Sequence, residues 1–310
     1  MSQSSYDLVS FGEILADFPA EGSPVLGESA AKAACTASCL GMKTAFYGKA
    51  GTENFGEQLR QLLSFKGVNT DNFLLSPEPS GQAGEDTAEF YSKGCTEAKT
   101  ELGDFNLEPI EGSRFFYFTS SMAAHESMRN TGKELIEYAR RYGNTMVLSA
   151  NMYPDLWENY GVMKQNVLEL LPLMDSGIVK LSSSELPYLM GETNTEKAAA
   201  KLMQQYHPRI LLVTVGKKGC MLRSVYGDLV IPGFPTREER LTSPTEDVFT
   251  GAFLSRLSSN GKALKECSIG DIASCVIFAN AAVSFAAESG NPYPNAEEVE
   301  TFLTKCLMGA

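Results

Sequence analysis

Apolar and polar stretches alternate along the chain in lengths that predict strands followed by helices. Short runs rich in β-branched and aromatic residues end at polar residues or glycine, which is typical of buried strands. These runs are 6–12, 44–48, 114–119, 145–149, 178–182 and 209–214. Longer amphipathic or apolar stretches predict helices, among them 126–142, 272–287 and 295–303. The alternation predicts an α/β fold whose mainly parallel sheet is covered on both faces.

Composition limits the classes of partner. A chain of 310 residues with 43% hydrophobic side chains can form one large α/β domain or two small ones. The net charge of −12, without a basic run, argues against nucleic acid and anionic membranes as partners. The N-terminus lacks the pattern of a signal peptide, and we expect no apolar stretch of membrane-spanning length. These features predict a cytoplasmic protein.

Cysteine and histidine give little support for a metal or nucleophile site. The seven cysteines are scattered and form no Cys-x-x-Cys pair, so a disulfide framework or zinc site is not indicated. Cys35 and Cys39 lie one helical turn apart in an Ala-rich segment, where small buried side chains are expected. The two histidines, His125 and His207, belong to no recognisable metal or catalytic motif.

A polar turn that carries two acidic residues runs directly into an apolar helix at 249–257. Phe249, Phe253 and Leu257 recur at helical spacing, which places Asp247 at the start of that helix. The first turn of a helix has unpaired N–H groups and a positive dipole end. It therefore suits either a phosphate-bearing ligand or a capping carboxylate. From spacing alone Asp247 is a helix cap, the commoner role, or an acid that faces a ligand.

This stretch resembles the C-terminal signature of the ribokinase-like (PfkB) carbohydrate kinases, Asp-Thr-x-Gly-Ala-Gly-Asp-x-Phe-x-x-Gly-Phe. Thr242, Asp247, Phe249 and Phe253 match that pattern. In the family, the final Asp takes the proton from the sugar hydroxyl, and the Gly-Ala-Gly amides form an anion hole for the transferred phosphoryl group. The resemblance therefore implies that Asp247 is the catalytic base.

The anion-hole loop departs from the family pattern. Leu241 replaces the leading Asp, and Pro244, Thr245 and Glu246 replace Gly-Ala-Gly. Proline has no N–H to donate, and a glutamate places negative charge beside a negative ligand. Loss of one such donor typically lowers a rate on the order of a hundredfold to a thousandfold. The degenerate loop is thus an argument against efficient phosphoryl transfer.

The N-terminal part resembles the fructokinase-like branch of the family through Gly-Glu-x-Leu-x-Asp-Phe. Asp17 matches the acid that binds sugar hydroxyls, although an exposed loop carboxylate is the alternative. The family's Gly-Gly-x-x-x-Asn signature keeps its first glycine as Gly27, but Glu28 and Lys32 replace the second glycine and the sugar-binding Asn. Lys32 could pair with Glu28 or Asp17, a pairing favoured at helical spacing, or reach an anionic ligand.

Two further junctions resemble substrate and metal motifs. Asn151 matches the fructokinase-like pattern Phe-Asp-Pro-Asn-x-Arg-x-x-Leu-Trp, in which Ser149 and Tyr153 replace the Asp and the Arg. Ser182 and Glu185 resemble Lys-x-Asn-x-x-Glu, whose Asn and Glu organise metal-bound water. The same two residues also form a capping-box pattern, so a purely structural role stays open.

The C-terminal third resembles the nucleotide side of the family. Thr214, Gly216 and Gly219 complete the pattern Val-Thr-x-Gly-x-x-Gly, although a buried strand before a glycine turn also has a structural use. Asn280 lies in an apolar stretch similar to the family's adenine-side helix, which Asp271 could cap.

The resemblance implies one ribokinase-like α/β/α sandwich over 1–310, with a small, reduced β lid at about 13–26 and 76–104. It implies an ATP-dependent, fructokinase-like carbohydrate kinase that uses Mg²⁺ and a sugar, and it allows a homodimer paired through lid strands. A shortened lid would leave the sugar site wetter. The alternative is a kinase-shaped binding or regulatory protein that has lost phosphoryl transfer. Fold-level likeness alone does not decide between them.

Overall fold

A computed structural model describes residues 6–14, 16–17, 25–27, 30–52, 54–77, 99–236 and 245–308. Helices and strands alternate through most of this part of the chain. The helices are α1 Ala30–Cys39, α2 Asn54–Phe65, α3 Glu108–Glu111, α4 Glu126–Arg141, α5 Tyr160–Leu170, α6 Glu185–Met190, α7 Thr195–Tyr206, α8 Thr245–Ser259, α9 Ile269–Ser289 and α10 Ala296–Met308. The strands are β1 Leu8–Phe11, β2 Ala16–Asp17, β3 Val25–Leu26, β4 Thr44–Gly51, β5 Val68–Asn69, β6 Phe73–Ser76, β7 Phe115–Thr119, β8 Thr145–Ser149, β9 Ile178–Ser182, β10 Ile210–Thr214, β11 Cys220–Ser224 and β12 Gly227–Ile231.

The central sheet has the order β12-β11-β10-β9-β8-β7-β1-β4-β5, and β6 also pairs with β4. All pairs from β10 through β4 to β5 and β6 are parallel, whereas β10-β11 and β11-β12 are antiparallel. A parallel core with an antiparallel edge confirms the predicted mainly parallel sheet. Because parallel strands end at the same edge, the residues that follow β1, β7, β8, β9 and β10 share one edge of the sheet.

Each face of the sheet packs against its own layer of helices. In β7, Phe115 and Tyr117 belong to the core beneath α1, α8 and α9. Phe116 and Phe118 point to the opposite core, which α4, α5, α6 and α7 cover. Strand residues alternate in this way because the side-chain period of a strand is two. The result is the three-layer α/β/α sandwich that the sequence predicts.

The predicted helices are present, and one predicted cap is wrong. Helix α9 begins at Ile269, and Ser268 is its N-cap. The hydroxyl oxygen of Ser268 accepts from the Asp271 N–H at 3.1 Å, while Asp271 accepts from the Ser268 N–H at 2.8 Å. Asp271 is therefore the third helical residue of a capping box rather than the cap itself.

Helix α9 also corrects the expectation that no apolar stretch reaches membrane-spanning length. Its 21 residues are long and apolar enough by length and composition. However, 56% of its most apolar window is buried within the protein, and residues such as Val276 and Ala279 lie in the core against the sheet. Core helices of folded domains commonly have this composition.

The two proposed lid segments are only partly described. Strands β2 and β3 form a small antiparallel pair within 13–26, with Asp17 opposite Val25. Most of the second segment, including the short β-rich run 88–91 that the sequence contains there, lies outside the described residues. Among the cysteines, Cys35 is buried in α1, as its Ala-rich surroundings predict, whereas Cys39 is half-buried.

Candidate functional site

Helix α8 points its first turn at the edge of the sheet where parallel strands end. Direct hydrogen bonds and an ion pair link this turn to the middle of β9 and to the ends of β8 and β10. The linking residues are Asn151 after β8, Lys180 in β9 and Thr214 at the end of β10. In open α/β sheets this edge, beside a helix N-terminus, is where ligands bind.

Asp247 lies at the centre of this arrangement. It is the third residue of α8 and its side chain is fully buried. The Asn151 amide nitrogen Nδ2 donates to its Oδ1 at 3.2 Å. The structure thus brings together two residues that the sequence assigned to base and substrate binding, although 96 positions separate them in the chain.

Asn151 is held in place from its backbone side. Its carbonyl oxygen accepts from the Ser121 hydroxyl at 3.0 Å and from the Ser120 hydroxyl at 3.4 Å. Ser149, which replaces the Asp of the family pattern, is fully buried two residues earlier. Its hydroxyl has no hydrogen-bond partner among the described residues. The loop after β8 therefore fixes the amide of Asn151 towards Asp247.

Glu246 has partners that the sequence did not predict. The Thr214 hydroxyl donates to both carboxylate oxygens of Glu246, at 3.0 and 3.1 Å. The same carboxylate forms an ion pair with the ammonium of Lys180. Thr245 is the first residue of α8, while Pro244 lies outside the described residues. A side chain thus sits where the family pattern has a glycine.

Lys180 is a charged residue in the middle of a buried strand. Its side chain is only 3% exposed. Burial alone would lower the pKa of Lys180, but the surrounding carboxylates Glu246, Glu185 and Asp247 outweigh burial and raise it. Lys180 is a site residue that the motifs in the sequence did not predict. A lysine between Val179 and Leu181 in an otherwise apolar strand was the signal that could have found it.

Glu185 makes the reciprocal contacts of a capping interaction. Its Oε2 accepts from the Ser182 N–H at 2.7 Å, and its own N–H donates to the Ser182 hydroxyl at 3.2 Å. Its Oε1 accepts from the Met152 N–H at 2.9 Å, which ties β9 to the loop after β8. Both oxygens keep a second lone pair for water. The structural role is therefore present, and the water-mediated metal role stays a prediction.

Glu13 is a second buried carboxyl group in the site. It follows β1, is 2% exposed, and accepts from the Thr119 hydroxyl at 2.9 and 3.1 Å. Burial raises the pKa of Glu13 to about 7, and the negative charge of Asp247 adds to that rise. The hydrogen bond from the Thr119 hydroxyl opposes the rise. In the sequence, Glu13 is the Glu of the Gly-Glu-x-Leu-x-Asp-Phe motif, which gives no sign of its burial.

The predicted nucleotide-side residues serve the local fold. Gly216 and Gly219 have φ values of +52° and +99°, which favour glycine. A Cβ at Gly219 would lie 2.2 Å from the Ile231 carbonyl oxygen. The Asn280 amide donates to the Pro232 carbonyl at 3.1 Å and fixes α9 to the end of β12. These features give Gly216, Gly219 and Asn280 a structural use, and their role in nucleotide binding, like that of Thr214, stays a prediction.

The N-terminal candidates are less fully described. Asp17 is placed by its backbone in β2, and its side chain lies outside the described residues. Gly27 is buried directly after β3. Lys32 lies on α1 with a side chain only 3% exposed, so it is not a solvated surface lysine. An ammonium buried this deeply requires a negatively charged or polar partner.

Within the described residues, no group of three or more His, Cys, Asp or Glu side chains could hold a metal ion directly. A cavity of about 720 Å³ lies beside the N-terminus of α4 and is lined by polar residues that include Glu101, His125 and Glu134. The candidate base and its partners do not line that cavity.

The chain is similar to known carbohydrate kinases. Residues 27–298 match the pfkB family carbohydrate kinase model. The chain is 27% identical to fructokinase-2 of Solanum lycopersicum over 286 residues, which cover 86% of each protein. It is 28% identical to fructokinase-1 of Zea mays, over 84% of this chain and 85% of that protein.

Solved structures show the same fold at lower identity. The fructokinase of Vibrio cholerae O395, in its fructose, ADP and calcium ion bound form, superposes with a TM-score of 0.83 at 21% identity. The alignment covers 97% of this chain and 99% of that chain. The ribokinase-like fold is thereby confirmed. With a family match across most of its length and fructokinases among its relatives, the chain belongs to the pfkB family of carbohydrate kinases.

Proposed function

We propose that this protein is a fructokinase-like kinase in which Asp247 removes the proton from the sugar hydroxyl that is phosphorylated. The observation that carries the proposal is the pairing of Asp247 with Asn151. A fully buried carboxylate, oriented by an amide at the end of β8, lies in the first turn of α8. This placement suits a general base, which needs a fixed direction and contact with the reacting hydroxyl.

The residues around Asp247 have separate tasks. Asn151 orients Asp247, and the loop serines Ser120 and Ser121 fix Asn151 in turn. Lys180 places a positive charge next to the first turn of α8, whose N–H groups are suited to phosphate. Bound Mg-ATP would supply the phosphoryl group, with the metal ion neutralising charge between the phosphates.

The fit to a nucleotide phosphate is incomplete in one respect. Lys180, Thr214 and the start of α8 are the groups that would hold the phosphates. Glu246 already accepts hydrogen bonds from Thr214 and neutralises Lys180. Its carboxylate must leave these partners before a phosphate group can replace it. Glu185 would hold metal-bound water through its remaining lone pairs.

The relatives suggest the substrate class. Several are named fructokinases, and the Vibrio cholerae enzyme was solved with fructose and ADP. A free ketohexose is therefore the first substrate to test. Lys32 adds a second option, since a buried ammonium where the family pattern has a sugar-binding Asn suits a sugar acid or sugar phosphate.

A second candidate is a sugar-binding or regulatory protein that no longer transfers phosphate. The contact between Glu246 and Lys180 favours it, because a carboxylate there repels the negatively charged phosphates. Replacement of the family's Gly-Ala-Gly by Pro244, Thr245 and Glu246 points in the same direction.

The deciding experiment measures ADP release from Mg-ATP with a panel of sugars, sugar acids and nucleosides. The matched control is Asp247→Asn, which keeps the shape of the side chain but removes the base. Sugar-dependent turnover that disappears in the control supports the kinase. No turnover, combined with activity gained when Gly-Ala-Gly is restored at 244–246, supports the binding protein. No turnover in either form, with no ligand-induced thermal stabilisation, contradicts both.

A further inference from the structure

Ser149 and Lys180 are neighbours on two adjacent strands of the central sheet. The register of β8 with β9 pairs Ser149 with Lys180. Paired residues of adjacent strands lie about 5 Å apart and point to the same face of the sheet. That face is the one beneath α8, since Val147 and Ile178, two residues earlier on each strand, belong to the core there. The hydroxyl of Ser149 therefore shares a buried region with the side chain of Lys180.

The charge of Lys180 is not balanced by this neighbour. Ser149 is fully buried, and its hydroxyl has no hydrogen-bond partner among the described residues. The residue paired with Ser149 on the other side, Thr119, directs its hydroxyl to Glu13 at 2.9 Å. A buried ammonium without a counter-ion is strongly destabilising. The counter-ion of Lys180 must therefore come from an element outside β8.

Glu246 on α8 is that counter-ion. Its carboxylate forms an ion pair with Lys180 and accepts from the Thr214 hydroxyl at 3.0 Å. The fructokinase-like pattern has Asp at position 149, and the C-terminal family signature has Gly at position 246, whereas this chain has Ser and Glu. An acid at position 149 would lie beside Lys180 in the sheet, and position 246 would then not need a carboxylate.

Among the described carboxylates whose charges act on Lys180, Glu246 is the one that can turn away. Asp247 is fully buried, and Glu185 accepts from two backbone N–H groups. The side chain of Glu246 is 28% exposed, so it can turn towards solvent. A second carboxylate placed beside Lys180 would therefore displace Glu246 and leave the other two in place.

We propose that Ser149 is a positioning residue for Glu246, because an uncharged side chain at position 149 keeps the Glu246 carboxylate on Lys180, where nucleotide phosphate would bind. This inference rests on the proposed kinase function. Phosphate competes with Glu246 for Lys180 and for the Thr214 hydroxyl. Position 149 thereby sets how strongly the site binds ATP and ADP, and it acts through Glu246 and Lys180.

The test measures the affinity for ADP by isothermal titration calorimetry in the full-length protein and in Ser149→Asp. The new carboxylate should pair with Lys180 and release Glu246, so ADP should bind about threefold to tenfold more tightly. Without that release, the added negative charge would repel the phosphates. Binding that is measurable but equal or weaker in Ser149→Asp would overturn the proposal. Ser149→Asn is the matched control, because it has nearly the same size without the charge, and it should give no gain.

The effect of the same substitution should change sign when Glu246 is absent. In Glu246→Gly there is no carboxylate at position 246 to release, so Ser149→Asp only neutralises Lys180. The double variant should therefore bind ADP about threefold to tenfold more weakly than Glu246→Gly. A similar gain in both backgrounds would show that position 149 acts independently of Glu246, which contradicts the proposal.

Urea unfolding tests the exchange of partners without nucleotide. Glu246→Ala should lower the urea midpoint of the unaltered protein, because the buried ammonium of Lys180 loses its counter-ion. In Ser149→Asp the same substitution should lower the midpoint at most about half as much, since Lys180 keeps a carboxylate beside it. Equal losses count against the proposal, as does a Ser149→Asp variant that fails to fold when Ser149→Asn folds. A reduced loss with no ADP binding in any variant supports the positioning role and contradicts only the proposed function.

Discussion

The ammonium of Lys180 and the carboxylate of Glu246 form an ion pair at the start of α8, where the family pattern has a glycine. Lys180 is almost completely buried, whereas Glu246 is 28% exposed. The pair is therefore reachable from solvent on the Glu246 side only. An anion that replaces Glu246 would meet a buried positive charge and the Thr214 hydroxyl.

Removal of the Glu246 side chain is expected to strengthen nucleotide binding. In Glu246→Gly, Lys180 loses its internal partner and the first turn of α8 loses a negative charge, so both can turn to phosphate. We expect ADP to bind at least about tenfold more tightly, equivalent to about 1.4 kcal/mol, measured by isothermal titration calorimetry.

The control for this experiment is Glu300→Gln, which removes a carboxylate that pairs with Arg256 of α8 at the surface. A surface ion pair of this kind contributes little to stability, and the pair does not involve Lys180 or Thr214. The affinity for ADP should therefore stay unchanged in the control. Equal affinity in Glu246→Gly and the unaltered protein would show that Glu246 does not compete with phosphate.

The energetic coupling within the pair should appear in a double-mutant cycle. Glu246→Ala leaves a buried ammonium with weaker compensation and should destabilise the protein by about 1–3 kcal/mol. Lys180→Met fills the same space without charge. The double variant Lys180→Met with Glu246→Ala should lose less unfolding free energy than the two single variants lose in sum. The difference should be about 1–3 kcal/mol. Urea unfolding checks this, and additive losses would argue against a direct interaction.

The fold and the candidate base could be predicted from local patterns. Strands such as β7 and β10 are continuous apolar runs, and Asp247 precedes helically spaced phenylalanines. Both signals lie within a short stretch of sequence. The structure agrees with both local predictions because burial of these apolar runs dominates the free energy of folding.

The partners of Glu246 and Glu13 could not be predicted in this way. Thr119 lies 106 positions from Glu13, and Lys180 meets Glu246 only because β9 runs beneath the start of α8. Such contacts depend on the order of the strands and on how a helix is placed against the sheet. A short stretch of sequence contains neither. The sequence suggested that Glu246 would repel phosphate, and the structure adds the cation that the carboxylate neutralises.

Glu13 should make stability depend on pH. Its pKa in the folded protein is about 7, against an ordinary value of 4.5. The stabilisation is therefore fully present below pH 4.5 and is lost as pH rises towards and through 7. The difference corresponds to at most about 3 kcal/mol. Glu13→Gln should remove this slope in urea unfolding between pH 4.5 and 8, and an unchanged slope would contradict the assignment.

His125 should make stability depend on pH in the opposite direction. Burial lowers the pKa of His125 to about 4, from an ordinary value of 6.5. The contribution of neutral His125 to the free energy of unfolding is fully present above pH 6.5 and is lost as pH falls through 4. The loss amounts to about 3 kcal/mol at most. His125→Asn should flatten the loss of stability in this range. His207→Asn is the matched control, because it removes the other histidine at a left-handed helix end that asparagine tolerates.

The packing of α8 against α1 gives a test of how firmly Asp247 is positioned. A Cβ at Gly251 would lie 2.7 Å from the Ala33 carbonyl oxygen and 2.9 Å from the Ala37 backbone nitrogen. Backbone atoms cannot move aside as a flexible side chain can, so Gly251→Ala must push the two helices apart. We expect the free energy of unfolding in urea to fall by about 1–3 kcal/mol. If the kinase is active, its rate should fall as well, since Asp247 lies one turn earlier on α8.

Gly103→Ala is the control, because nothing lies within 4 Å of its Cβ, and it should be neutral or stabilising by about 0.4–1 kcal/mol. Equal effects of the two substitutions would mean that α8 tolerates displacement, and that Asp247 is held mainly by Asn151.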